Sequence, residues 1–209
     1  EASSGDAVYV DPTGPDGDGS SPSAPYRSLT EALQQAPIGA TVLLAAGAYP
    51  AAVVRQDVQL VGLCPEQTQI FGFEVQGATL TLSKLEVTSL LQGSQNAHIE
   101  VQSGLLLGGV RLDASTARVE ASASLGALHG IDASGSAGVR NSGFQDTRGN
   151  IIRGDAQIHD VFFEGGRGCG GAVLEVRSNI DLQRLSFRQF EGEALFTNIA
   201  RGTISDLLI

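Results

Sequence analysis

The chain has 209 residues, a net charge of −10 and only one lysine, Lys84, among its 13 basic residues. A surface that binds phosphate needs clustered lysine and arginine, so this composition argues against a nucleic-acid partner. No apolar run approaches the roughly 18 residues that a membrane span requires, so we expect no membrane-spanning segment.

The first residues are small and polar. Neither an initiator methionine nor a signal peptide is present, and Glu1–Asp6 has the composition of a linker that follows a removed targeting segment. We therefore interpret residues 1–7 as a linker and expect an extracellular or cell-envelope location.

Residues 8–49 are predicted to form an N-terminal cap. Val8–Asp11 has the pattern of a strand, and a turn-rich run, Pro12–Pro25, follows it. Ser28–Glu31 has the pattern of a capping box, and the apolar spacing after it predicts a short helix that ends near Ala36.

This block resembles the N-terminal region of pectin-lyase-like right-handed parallel β-helix proteins. The shared elements are Val10-Asp11, the Asp/Gly loop at Asp16–Gly19, Pro25-Tyr26-Arg27-Ser28-Leu29, Ala32-Leu33, Ala36, Gly39-Ala40-Thr41-Val42 and Gly47-Ala48-Tyr49. The resemblance implies that the helix closes one end of a solenoid core. It leaves the chemistry open, because that superfamily contains lyases, hydrolases, epimerases, adhesins and non-catalytic modules.

A repeat of about 20 residues occupies the rest of the chain, residues 50–209, and a period of this length indicates a solenoid. In each copy a small residue is followed two positions later by an aliphatic anchor. The copies are Ala78/Leu80, Ala97/Ile99, Ala117/Val119, Ala137/Val139, Ala156/Ile158, Ser178/Ile180 and Gly202/Ile204, after an earlier copy, Gln56/Val58, without the small residue.

A longer apolar pattern follows the anchors, as in Ile158–Phe163 and Leu182–Phe187. In this pattern the apolar residues are first three and then two positions apart. That spacing predicts two short strands that meet at a bend. Asn141, Asp160 and Asp206 lie near that bend, whose backbone conformation Asn and Asp tolerate. We predict an all-β fold, a right-handed parallel β-helix of about eight coils with a short N-terminal capping α-helix.

The repeat also predicts that Cys64 and Cys169 are free. The anchors place them five coils apart, or about 24 Å at roughly 4.8 Å per coil. A disulfide permits a Cα separation of only about 7 Å, so no disulfide is expected.

Asp113 and Asp132 are the first candidate catalytic residues. They occupy equivalent places in two Asp-Ala-Ser segments nearly one coil apart, so we expect their stacked carboxylates about 5 Å from each other. Such a pair could share a proton or a cation. Asp-Ala-Ser is also ordinary turn chemistry, and both interpretations stay open.

A second candidate surface consists of the residues that directly follow the anchors. If the anchors point inward, these residues form one outward row: Glu100, Glu120, Arg140, His159 and Asp181. The three acids are candidates for a binding face, and His159 and Arg140 are candidates for catalysis. The alternative is a solvated face in which Arg140 offsets Glu120.

Asp11, Asp16 and Asp18 lie in the Gly/Pro/Ser-rich loop near the N-terminus. Asp-x-Asp-Gly is a fragment of a calcium-loop pattern, without the distal Glu that completes an EF-hand. We expect either no cofactor or calcium bound at this loop.

The absence of known catalytic motifs from the sequence favours a role without catalysis. Polygalacturonase-like motifs are absent, there is no tryptophan, and all three tyrosines lie in the N-terminal cap, so few aromatic platforms for sugars exist. We predict a structural, adhesive or polysaccharide-binding module. One alternative is a calcium-assisted polysaccharide lyase or another carbohydrate-active enzyme, with Asp113 and Asp132 or the row that contains His159 at its centre. Another is that these residues are part of a longer enzyme whose catalytic coils lie beyond residue 209.

The last copy of the repeat opens a coil at Ile204 and stops at Ile209. A solenoid that ends in this way exposes strand edges and apolar core. We therefore expect further chain or a partner copy to cover this end.

Overall fold

The computed structural model shows a parallel β-solenoid of about eight turns. It describes residues 7–125, 130–147, 149–165, 167–198 and 201–209. This architecture confirms the predicted all-β solenoid with a short N-terminal helix.

The described part of the chain contains one helix, α1 (Leu29–Gln35), and 23 strands. The strands are β1 (Ala7–Val10), β2 (Ala40–Leu44), β3 (Gly47–Tyr49), β4 (Ala52–Val54), β5 (Val58–Val61), β6 (Thr68–Ile70), β7 (Phe73–Gln76), β8 (Thr79–Ser83), β9 (Glu86–Val87), β10 (Leu91–Ser94), β11 (His98–Gln102), β12 (Leu105–Leu106), β13 (Val110–Leu112), β14 (Thr116–Glu120), β15 (Ala123–Leu125), β16 (Ile131–Ala133), β17 (Ala137–Gln145), β18 (Asn150–Ile152), β19 (Ala156–Glu164), β20 (Arg167–Val176), β21 (Ile180–Arg188), β22 (Glu191–Thr197) and β23 (Gly202–Leu208).

The strands form three faces, and each strand pairs in parallel with its equivalent in the next coil. The first face contains β1, β2, β5, β8, β11, β14 and the first halves of β17, β19, β21 and β23. The second face contains β3, β6, β9, β12, β15 and the second halves of the four long strands. The third face contains β4, β7, β10, β13, β16, β18, β20 and β22.

A residue in the left-handed backbone region marks the corner between the first and second faces in seven successive coils. These residues are Lys84 (φ 56°), Ser103 (52°), Ala121 (47°), Asn141 (48°), Asp160 (57°), Arg184 (52°) and Asp206 (53°). The predicted bend is therefore confirmed at Asn141, Asp160 and Asp206. After the corner, alternation resumes and side chains such as Phe144 and Phe163 enter the core.

Helix α1 lies at the N-terminal end of the solenoid, where it packs against β1 and β4. Ser28 is its N-cap and accepts a hydrogen bond from the Glu31 amide, as the capping-box pattern predicts. The apolar side of the helix is buried through Leu29, Ala32 and Leu33. Within the described residues no helix is long and apolar enough to cross a membrane.

Gln56 binds the C-terminal end of this helix. Its Nε2 donates hydrogen bonds to the carbonyl oxygens of Leu33 and Ala36, at 3.1 and 2.7 Å. The last carbonyls of a helix have no partner within the helix, so this side chain satisfies two of them. This role explains why the first copy of the repeat has glutamine where later copies have a small residue.

The strand register agrees with the small-residue repeat at four of its seven steps and differs from it by two residues at the other three. Ile99 pairs with Ala117, two residues before its expected partner Val119. Ile158 pairs with Leu182, in agreement with the longer bend pattern. A slip of two residues leaves every side chain on the same face of the sheet, so the alternation of apolar and polar residues does not distinguish the two registers.

Cys64 is a free, partly exposed thiol. The side chain of Cys169 lies outside the described part of the chain, and its expected free state stays a prediction. At the C-terminal end, β23 pairs with β21, and Leu208 and Ile209 are exposed. What covers this end also stays a prediction.

Candidate functional site

Two adjacent rows of mostly polar residues lie on the outer surface of the first face, from β11 to β23. We call these two rows the polar face. Alternate residues of each strand point outward, and strands in neighbouring coils lie about 4.8 Å apart. One row is Glu100, Arg118, Gly138, Gln157, Asp181 and Thr203, and the other is Gln102, Glu120, Arg140, His159, Gln183 and Ser205.

The five residues that were expected in one row are divided between the two. Glu120, Arg140 and His159 follow one another on successive strands. Glu100 and Asp181 belong to the other row, because the strand register slips by two residues on either side of this trio. The prediction of a single row is therefore wrong, although all five side chains lie on the same face.

His159 and Asp181 are in direct contact on the polar face. The His159 Nε2 lies 2.9 Å from the Asp181 Oδ2, and only 15% of the histidine side chain is exposed. When neutral His159 donates this hydrogen bond from Nε2, its Nδ1 is left as an acceptor.

The other oxygen of Asp181 is also held in place. Its Oδ1 accepts hydrogen bonds from the Gln183 Nε2 at 2.9 Å and from the Thr203 Oγ1 at 3.0 Å. These two bonds, the one from Gln183 foremost, lower the pKa of Asp181, and His159 adds to the effect. The carboxylate therefore has a fixed orientation and stays ionised.

Arg118 links the two carboxylates at the N-terminal end of the polar face. Its Nη2 lies 3.1 Å from the Glu120 Oε2, and its Nε lies 3.8 Å from the Glu100 Oε1. Gln102 donates a further hydrogen bond to Glu100 at 3.0 Å. Such half-exposed ion pairs contribute little to stability, but they hold the side chains in defined positions. Arg118 was missed in the sequence because the small-residue repeat misplaces its strand, whereas alignment on the bend positions it correctly.

Two further arginines belong to this region, Arg140 in the second row of the polar face and Arg184 at the corner beside it. The Arg184 Nη2 donates to the Asp160 Oδ2 at 2.7 Å at the corner, and this interaction lowers the pKa of Asp160. Arg140 is exposed, and within the described residues its side chain has no hydrogen bond or ion pair. Its charge nevertheless contributes to the lowered pKa of Asp160, so it lies in the same cluster.

Asp113 and Asp132 are not brought together as expected. Arg111, rather than Asp113, is the strand partner of Asp132, and Asp113 lies beside Ser134, whose Oγ is 3.5 Å from its Oδ1. Asp132 instead lies between the Arg111 Nε at 3.9 Å and the Arg153 Nη1 at 2.8 Å. The expected stacking is wrong because the two Asp-Ala-Ser segments are offset by two residues from the strand register.

The aspartates of the N-terminal loop make local turns. Asp11 accepts hydrogen bonds from the amide and hydroxyl of Thr13, and Asp18 accepts them from the amide and hydroxyl of Ser20. These bonds lower the pKa of both carboxyls. Asp16 lies exposed between them. Among the residues that the structure describes, no group of three or more His, Cys, Asp or Glu could hold a metal ion, and calcium binding here stays a prediction.

The polar face can therefore hydrogen-bond hydroxyl groups along several coils, bind an anionic group at Arg140 and accept a proton at His159 Nδ1. Comparison of the chain with family models, curated proteins and solved structures finds no match.

Proposed function

We propose that the protein is a secreted or cell-envelope β-solenoid module that binds a polysaccharide through its polar face, in a structural or adhesive role. The observation that carries this proposal is the pair of parallel rows, which present donors and acceptors at each step of about 4.8 Å. A polymer with hydroxyl groups on every unit can contact several coils at once.

The side chains of the polar face are well positioned before a ligand arrives. Arg118 holds Glu100 and Glu120, while Gln183 and Thr203 hold Asp181. Ordering a flexible side chain on binding costs about 0.5–1.5 kcal/mol, so side chains that are already held lose less entropy. This preorganisation favours a hydrogen-bonding ligand that lies along the rows.

Arg140 indicates that the polysaccharide is acidic. Its exposed guanidinium makes no hydrogen bond or ion pair within the described residues, and arginine binds carboxylates through two parallel hydrogen bonds. We therefore place a uronate carboxylate of the polymer at Arg140, with its hydroxyl groups towards Gln183 and Asp181.

Binding to polygalacturonate, alginate and neutral dextran in affinity electrophoresis tests the proposal. We expect retention by an acidic polymer, and a loss of affinity of about tenfold in Arg140→Ala, since hydrogen bonds to a charged group contribute about 1.5–3 kcal/mol. Arg27→Ala is the matched control, because Arg27 is an exposed arginine in the N-terminal cap. Equal losses in both variants, or no retention by any polymer, would contradict the proposal.

A catalytic function is the second candidate, and the contact between His159 and Asp181 favours it. A histidine oriented by a carboxylate is an effective general base, as a polysaccharide lyase or another carbohydrate-active enzyme requires. Incubation with acidic polysaccharides, with and without calcium, would reveal lyase activity as ultraviolet absorbance of unsaturated products. Product formation that is lost in His159→Gln but retained in His98→Gln would establish catalysis and replace the binding-only role.

A further inference from the structure

A cavity of about 340 Å³ lies at the N-terminal end of the first face, under the loop Pro12–Pro25. Its walls are mainly apolar, and they include Tyr9, Pro22, Pro25, Leu43, Val61 and Leu63. This volume is at the lower end of the range for small-molecule sites, which are typically apolar with a few polar groups.

The floor of the cavity interrupts the polar pattern of the first face. Leu43 and Val61 pair with each other, and Val61 pairs with Ser83, so all three belong to the row that continues into the polar face. From Ser83 onward the outward residues of this row are polar, as expected for a sheet face in water. Leu43 and Val61, which are apolar residues at outward positions, therefore need another group to shield them from water.

The loop supplies only part of that cover. It is fixed to β1 by backbone hydrogen bonds of 2.9 Å from Tyr9 to Gly19 and from Tyr26 to Tyr9, so the wall that it forms is built in advance. The cavity nevertheless remains open at Leu63, a residue that is 59% exposed. An apolar floor with a rigid wall and an open mouth is suited to a small ligand.

Asp11 provides the one charged side chain among the residues that line this cavity. Its Oδ1 is held by the amide and hydroxyl of Thr13, each at 2.8 Å. A fixed carboxylate beside apolar walls complements a ligand with an apolar body and one positive charge.

We propose that this cavity binds a small apolar amine, with its hydrocarbon body against Leu43 and Val61 and its ammonium group near Asp11. This site lies on the first two coils, apart from the polar face, and it goes beyond polysaccharide binding. Neutral or anionic ligands of the same shape lack the attraction to Asp11 and bind more weakly.

Ligand-observed NMR titrations with hexylamine, hexanol and hexanoate test the proposal, because the three probes share a six-carbon chain and differ in charge. We expect hexylamine to bind about threefold more tightly than hexanol, the scale of an exposed ion pair, and hexanoate to bind least. Asp11→Asn keeps an acceptor for Thr13 and should make the affinities of hexylamine and hexanol equal.

Val61→Gln tests the apolar floor, and we expect it to weaken hexylamine and hexanol alike by about tenfold. Val53→Gln is the matched control, since Val53 is an outward valine on the third face, 39% exposed and outside this cavity. If Val61→Gln fails to fold, Leu63→Gln at the mouth replaces it. No saturable binding of hexylamine, equal binding of hexylamine and hexanol to the wild type, or wild-type affinity in the floor variant would each overturn the proposal.

Discussion

Most of the seven left-handed residues at the corner between the first and second faces carry a side chain that opposes this conformation. An L-residue in the left-handed region is strained by about 1–2 kcal/mol, because its Cβ approaches the following carbonyl oxygen. Asn141 and Asp160 are of residue types that tolerate this conformation better than most others. Ala121 is not of such a type, and its exposed methyl group contributes no packing.

Ala121→Gly is therefore expected to stabilise the solenoid by about 0.5–1 kcal/mol, since relief of the strain exceeds the entropy cost of glycine. Urea unfolding followed by circular dichroism measures the change in midpoint. Ala123→Gly in strand β15 is the control and should lower the midpoint, as glycine in a strand does. A midpoint that falls in both variants would show that the corner stores no strain at this residue.

Asp181 gives the stability of the fold a dependence on pH. Its pKa is lowered in the folded state, mainly by the hydrogen bond from Gln183. The corresponding stabilisation is complete above the pKa of the unfolded chain, about 3.9, and is lost as the pH falls through the lower folded value. We expect Asp181→Asn to lose less stability than the wild type between pH 5 and pH 2 in thermal unfolding.

Gln183→Ala is an independent check, because it removes the principal donor and should also reduce the acid sensitivity. Asp160, whose pKa Arg184 lowers, keeps part of the sensitivity in both variants. Identical acid profiles of Asp181→Asn and the wild type would contradict the assigned hydrogen bonds.

At the level of secondary-structure elements, the stability of helix α1 depends on contacts with the rest of the protein. Seven residues are too few for a stable helix in water, so its caps and its packing on the first coil must hold it. Gln56→Ala removes the donor to two terminal carbonyl groups, and we expect a loss of about 1–2 kcal/mol. Hydrogen exchange should show the change at the amides of α1 and β1 and leave the distant coils unaffected.

Gln59→Ala is the matched control, since Gln59 is an exposed glutamine on the adjacent strand β5 and its side chain accepts only a long hydrogen bond of 3.5 Å from Thr41 within the described residues. It should leave the protection of α1 unchanged. Equal protection of α1 in Gln56→Ala and the wild type would show that Gln56 does not cap the helix.

The sequence predicted elements better than it predicted the pairing between them. The N-cap at Ser28 and the bend residues Asn141, Asp160 and Asp206 carry local conformational information, and both features are present in the structure. The small-residue repeat instead indicates only that the small residue and the aliphatic anchor of each copy face the core. A shift by two residues preserves that property, so the repeat could not fix the register.

The same ambiguity explains the errors at the candidate sites. Asp113 and Asp132 were aligned on a turn motif that is offset from the strands, and Arg118 was overlooked between Glu100 and Glu120. No pattern in the sequence predicts the cavity near Asp11. Its wall is an irregular loop, and the position of a loop depends on long-range contacts that no periodic pattern records.

For the whole molecule, contacts between neighbouring coils determine both stability and function. Phe144, Phe163 and Phe187 stack through three successive coils, with ring centroids 5.2 and 4.9 Å apart. In a solenoid each repeat is stabilised by its neighbours, so this register also positions the polar face on the outside. A direct test of the register therefore tests the assembly of the proposed binding surface.

Paired cysteines provide that test in a background with Cys64→Ser and Cys169→Ser. Gln102 and Glu120 are strand partners in the structure, and the Cα separation of about 4.8 Å between such partners permits a disulfide. Glu100 and Glu120 would be partners in the register of the small-residue repeat, but here they are diagonal, with Cα atoms about 8 Å apart. We expect the double variant Gln102→Cys/Glu120→Cys to form a disulfide under mild oxidation. The double variant Glu100→Cys/Glu120→Cys should keep two titratable thiols. The reverse outcome would shift Arg118 and Glu120 relative to Glu100 and Gln102 and remove the basis for the two rows at this end of the polar face.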